Sequence, residues 1–107
     1  MAQLIVTTGN EVPGKKIVEV IGIVKGSTVR ARNIGRDIGA GLKNLVGGEI
    51  KTYTDMANDA RDEAFNRMAN QAIEIGASAV IGMRFATSMI MQGASEMVAY
   101  GTAVKLK

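Results

Sequence analysis

Residues 16–31 read KIVEVIGIVKGSTVRA. β-Branched residues fill the first half of this stretch and divide into two alternating sets, Ile17, Ile21 and Ile23 against Val18, Val20 and Val24. Side chains of a strand point to opposite faces in turn, so a strand apolar on both sides is one that expects cover on both sides. The triplet Lys25-Gly26-Ser27 reads as an interruption before the strand resumes to about Ala31. A chain of 107 residues has one core, burying about 65% of its unfolded surface, and too little mass to clothe two faces of a sheet. Residues 1–107 are read as a single domain, and cover for the second face is expected from other copies.

The neighbouring segments extend this reading. Residues 3–8 alternate as a first strand, with Leu4, Val6 and Thr8 on one side and Ile5 and Thr7 on the other. Between the two strands, GNEVPGK carries Gly9-Asn10 and Pro13-Gly14, pairs that turn a chain because Gly and Asn accept positive φ and Pro presets the first turn position. Beyond residue 31, Asn33 fits the N-cap of a helix over 34–46, with Ile34, Ile38, Leu42 and Leu45 on one stripe and Gly47-Gly48 as its stop. The longest periodic segment is 53–75, a helix with Tyr53, Met56, Ala57, Ala60, Ala64, Met68, Ala72 and Ile75 in line and Gly76 behind it. SAVIGMRFATSMI and SEMVAYGTAVKL then read as an antiparallel hairpin turning at Gly93. The expected fold is α+β, two layers, an antiparallel sheet with helices on one side in the order β-β-α-α-β-β.

RDIGAGLKNLVGG, residues 36–48, places Gly39 and Gly41 inside the first helix and Gly35 near its start. Each glycine costs a helix up to about 1 kcal/mol relative to alanine, so the three together weaken it by roughly 2 to 3 kcal/mol. Close packing has to return that energy. Gly35 and Gly39 lie four apart, on one face beside Ile34, Ile38 and Leu42, and open a groove for a neighbouring chain. Ile34, Gly35, Arg36, Asp37, Ile38, Gly39 and Leu42 are therefore the expected subunit seam, Arg36 and Asp37 orienting it.

Composition narrows function. The chain has no Cys and no His, which removes disulfides, thiolate chemistry, imidazole bases and the usual soft-metal ligand sets. Tyr53, Phe65, Phe85 and Tyr100 are its aromatic residues, and a core built from Ala and Gly buries little apolar area per residue, so an isolated monomer is expected to be marginal. MAQLIVTT has no basic segment ahead of its apolar run, and no apolar run reaches the roughly 18 residues of a membrane span. A soluble, cytoplasmic protein with no membrane partner is expected. Charge is uneven: Lys25, Arg30, Arg32, Arg36 and Lys43 face only Asp37 in residues 25–43, while Glu49, Asp55, Asp59, Asp62, Glu63 and Glu74 outnumber the basic residues of 49–76.

GRDIGAGLKNLVGGEIKTYT, the helix DEAFNRMANQAIEIGASAVIGMRF and the closing GTAVKLK together resemble the YbjQ-like family of small bacterial and archaeal proteins, along nearly the whole chain. The resemblance implies a dodecin-like subunit assembled into a ring of five, sometimes with two rings stacked. It also brings a heavy-metal-binding label. Family members often carry acidic residues on the third strand, where this chain has Met83, Arg84, Phe85 and Ala86.

Candidate chemistry is thin. GRDIGAGLKN completes neither a P-loop nor a Gly-x-Gly-x-x-Gly turn, so its glycines serve packing rather than phosphate. Met83, Met89, Met91 and Met97 crowd the hairpin, and Met89 with Met91, on one strand face, are the residues a thioether metal site would use. Without Cys or His to complete the set, apolar filling is the preferred reading. Asp59 with Asp62 or Glu63 shares a helix face, beside Arg61 and Arg67, as solvated or subunit-facing charges do. Nucleic acid is disfavoured as a partner: the net charge is +3, and no aromatic precedes Tyr53 to stack on bases. The sequence reading is thus a non-enzymatic, pentamer-like homo-oligomer or small-ligand-binding protein with no cofactor, any ligand or metal sitting at subunit boundaries. The alternatives are a metal-binding or metal-responsive protein and an enzyme with carboxylates joined across subunits.

Overall fold

The computed structural model describes residues 3–31, 51–91 and 94–107. Its elements are β1 (Ile5–Val6), β2 (Ile17–Ala31), α1 (Lys51–Glu74), β3 (Ala79–Met91) and β4 (Ala94–Leu106). The strands form one sheet in the order β1-β3-β4-β2, and α1 packs on one of its faces. The helix expected over 34–46, with the seam from Ile34 to Leu42, lies outside the described residues.

The stripe Ala60, Ala64, Met68 and Ala72 forms the buried line of α1, as its spacing requires. It meets Val24, Val80, Met83, Ala99 and Ala103 from three strands, with Ile21, Phe65 and Met97 at the margin. Gly76, at φ 82°, ends the helix in the left-handed region that a side chain would resist. A second, smaller cluster lies across the sheet, where Val12 of the turn before β2 covers Ala79 and Val104, flanked by Ile17, Ile81 and Leu106. That turn closes through Lys15 N–H to the Val12 carbonyl at 3.0 Å, with Gly14 at φ 79°. Residues 79–83 and 101–104 are thereby covered on both faces.

Several expectations are corrected. The sheet is mixed, since β1 runs parallel to β3, Ile5 beside Ala79 and Val6 beside Val80. Alternation in residues 3–8 marks a strand but carries no information on direction, and only two residues pair. Those contacts continue as single bonds, Thr7 N–H to the Val80 carbonyl at 2.9 Å and Met83 N–H to the Thr7 carbonyl at 3.0 Å. They end where Gly82, at φ 61°, bulges to give its N–H to the Gly9 carbonyl at 2.8 Å.

β2 is not interrupted at Lys25-Gly26-Ser27. It pairs with β4 without a break from Gly22 to Ala31. Gly26 is there because α1 rests on it: a Cβ at this position would overlap the backbone of Ala64 and Met68 and come within 2.7 Å of the Arg67 Cβ. The two-sided apolar pattern of residues 17–24 is also only partly covered. Register shifts between Ile17 and Glu19 and between Val20 and Gly22 break strict alternation. Ile21 consequently reaches the α1 core and Ile17 the Val12 cluster, while Val18, Val20 and Ile23 stay exposed.

Candidate assembly surface

Past Met83 the sheet loses its cover. Every residue from Arg84 to Met91 is exposed, including Phe85, Met89, Ile90 and Met91, and Met89 keeps 76% of its surface. Val29 and Ile23 on β2 are likewise bare, Ile23 at 77%. The reason lies in where α1 sits. It packs chiefly on β2 and β4 and barely reaches β3, so Phe85, which pairs with Ala99, lies on the helix side of the sheet without the helix above it. Phe85 and Met89 lie on the helix face and Ile23 and Val29 on the opposite one, so exposed apolar side chains are found on both faces of the sheet. Patches of this kind are candidates for contact with another protein.

The two long edges of the sheet differ as well. Along β2, the Lys25 N–H donates to the Gln71 side-chain carbonyl at 2.8 Å, and Arg67 donates to the Ser27 carbonyl at 2.6 Å. Both groups point away from β4, so α1 caps the strand edge with its own side chains. Arg67 is held for this by an ion pair with Glu63 one turn back. Since Lys25 faces outward, its partner Tyr100 turns its backbone groups toward β3, and Arg84, Ala86 and Ser88 take the ladder bonds to β4. Phe85, Thr87 and Met89 then present their backbone N–H and C=O groups to the outer edge, where β1 no longer pairs. Arg84 folds back instead, donating to the Thr8 and Met83 carbonyls at 2.8 Å each.

Met89 and Met91 do not share a face as expected. Met89 pairs with Ser95 and Met91 with Ala94, adjacent residues of β4, because the ladder shifts by one at Ile90. They are exposed rather than filling a gap, whereas Met68 and Met83 are the methionines that do. Asp59 and Asp62 are exposed and Glu63 is engaged by Arg67. Among the described residues no three Asp or Glu side chains converge on a cation position. With no Cys or His in the chain and Arg84 anchored on the third strand, the described donors do not fit a heavy-metal site. A groove of about 440 Å³ along residues 10–17 is lined by Glu11, Lys15 and Lys16 on a largely exposed turn. No helix among the described residues is long and apolar enough to cross a membrane. The edge-capping pair Arg67 and Gln71 was missed from sequence, although its i,i+4 spacing beside Ala64 and Met68 is the available signal.

These features define a small α+β chain whose sheet is covered at one end and exposed at the other. Residues 4–107 match a family model described as "Putative heavy-metal-binding". A UPF0145 protein of Methanoculleus marisnigri is 62% identical over 103 residues, covering 96% of each chain, and one of Archaeoglobus fulgidus is 54% identical over 105 residues, covering 98% of this chain and 97% of its own. The chain belongs to this YbjQ-like family of UPF0145 proteins, which is uncharacterised. The crystal structure of a protein of unknown function from the DUF74 family, from Pediococcus pentosaceus, is similar in fold, with a TM-score of 0.64 at 18% identity over 97% of this chain and 98% of that one.

Proposed function

We propose that this chain acts as the subunit of a homo-oligomeric ring, five-membered as the family resemblance implies, without a catalytic centre of its own. The observation that carries the reading is the exposed apolar side chains at one end of the sheet, Phe85 and Met89 on the helix face and Val29 on the opposite one, on a chain whose covered core is mostly alanine, valine and methionine. Leaving such side chains in water forgoes about 25 cal/mol per Å² that a neighbouring copy would recover. The seam from Ile34 to Leu42 would supply the second, complementary surface, and two different surfaces meeting head to tail close a ring. Small ligands would bind where copies converge.

A metal-binding role has the family description in its favour and the donor chemistry of the described residues against it. An inter-subunit carboxylate enzyme would have to recruit Asp59 and Asp62, since Glu63 already serves Arg67. Native mass spectrometry of freshly purified protein at micromolar concentration is the test. The expected spectrum shows five or ten chains per particle, with any retained small molecule as added mass. A monomer as the sole species would overturn the reading.

A further inference from the structure

We infer that the outer edge of β3, residues 85–89, is a strand-pairing site for the same edge of a second copy, the two β3 strands running antiparallel about a two-fold axis at Thr87. Only outward-facing residues can form the new ladder, and these are Phe85, Thr87 and Met89. Centred on Thr87, the pairing sets Phe85 against the partner's Met89 on both sides of the axis and Thr87 against itself. Each of the three facing pairs exchanges N–H···O=C bonds in both directions. An aromatic ring against a thioether and a threonine against a threonine are favourable cross-strand neighbours.

Charge supports the same occupant. Residues 85–91 carry none, and Arg84 is turned back onto the Thr8 carbonyl. Two copies therefore meet without like charges in register. The β2 edge is the contrasting case, carrying Glu19 and Lys25 and capped by Gln71 and Arg67. Natural sheets protect edges that must stay unpaired by such devices. Between its bulges at Gly82 and Ile90, the β3 edge over residues 85–89 carries neither a charge nor a cap among the described residues.

A contact between two copies over so few residues is small beside the roughly 1,200 Å² of a stable interface. It gains strength when several act together between two rings, and to that extent it rests on the ring reading. A two-fold contact cannot itself propagate around a five-membered ring, so it joins ring to ring.

Crosslinking tests the pairing directly, because the chain has no cysteine of its own. Facing Cα atoms in such a pair lie about 5.5 Å apart, inside the roughly 4.4–6.8 Å that a disulfide spans. Thr87→Cys is expected to oxidise mostly to a covalent dimer on a non-reducing gel, with an unchanged circular dichroism spectrum, while Lys25→Cys stays monomeric. Thr87→Pro, which removes an outward-facing N–H and the Thr87 hydroxyl bond to the Glu96 carbonyl but no backbone ladder bond to β4, is expected to halve the native particle mass with the circular dichroism spectrum retained. Equal crosslinking of the two cysteine variants, or an unchanged mass for Thr87→Pro, would overturn the pairing. A Thr87→Cys dimer with no larger particle would uphold the pairing and remove the ring.

Discussion

Gly26, Ala99 and Phe85 lie side by side in one row across the helix face of the sheet, on β2, β4 and β3 in turn. Over Gly26, α1 comes down to backbone contact, and Ala99 is fully buried in the core beneath it. Among the described residues α1 does not reach over the third, Phe85, and its side chain is large. Thr28, Met97 and Thr87 repeat the pattern one row on, Thr28 buried and Thr87 exposed. The contrast between the β2 flank and the β3 flank teaches that exposure here follows distance to the helix, whatever the residue: of two threonines in one row, Thr28 is buried and Thr87 is exposed. Gly26 admits α1 closely because it has no side chain, whereas Phe85 keeps 43% of its surface.

If the flanks differ in this way, one added carbon on the β2 flank should cost far more than a whole new side chain on the β3 flank. The largest effect is expected from Gly26→Ala, since the new Cβ meets backbone of α1 that cannot rotate aside. A loss of about 3 kcal/mol is expected by denaturant unfolding. A midpoint close to wild type would mean that α1 is not seated on β2. Gly101→Ala probes the next row of the same closed region, where the added Cβ would lie 2.5 Å from the Val80 Cγ1 and 3.1 Å from the Ile81 carbonyl. Val80 can yield a little, so about 1 to 2 kcal/mol is expected, read in the same titration. Smallest of all should be Met89→Lys. At an exposed position it should change unfolding by less than about 0.5 kcal/mol. It should nonetheless lower particle mass in light scattering, as a charge on an edge opposes pairing. A large loss of fold stability from Met89→Lys would place this side chain in the core and dissolve the contrast.

Much of the scaffold was legible because it depends on local periodicity. The α1 stripe from Ala60 to Ala72, the Gly76 stop and the two hairpin strands follow from spacing alone. What escaped depends on partners far along the chain. Gly26 reads locally as a breaker, and only the arrival of Ala64 and Met68 above it makes it a strand residue. The parallel direction of β1 is set by where β3 leaves room, and Leu4, Val6 and Thr8 would alternate identically either way. Counting alone puts Met89 and Met91 on one face, but a one-residue ladder shift reverses such counting. The exposed end of the sheet is only half legible: the sequence marks Met89 and Met91 as apolar filling, with a thioether site as the alternative, while their exposure is a property of α1's placement.

The central position of β4 has a consequence for how the chain comes to be folded. Among the described elements β4 is last in chain order, yet it stands between β3 and β2, and it bonds Ile17 to Leu106 at one end and Ala31 to Ala94 at the other. During synthesis, therefore, β2 emerges long before the strand it needs, and α1 forms over a floor with its middle plank missing. Contacts so distant in sequence slow the final closure, and until it happens Val18, Val20, Ile23 and Val24 are an unpaired apolar ribbon. The nascent chain is thus most vulnerable to misassociation while residues 94–106 are still being made, and chaperones that shield extended apolar segments would act in that interval.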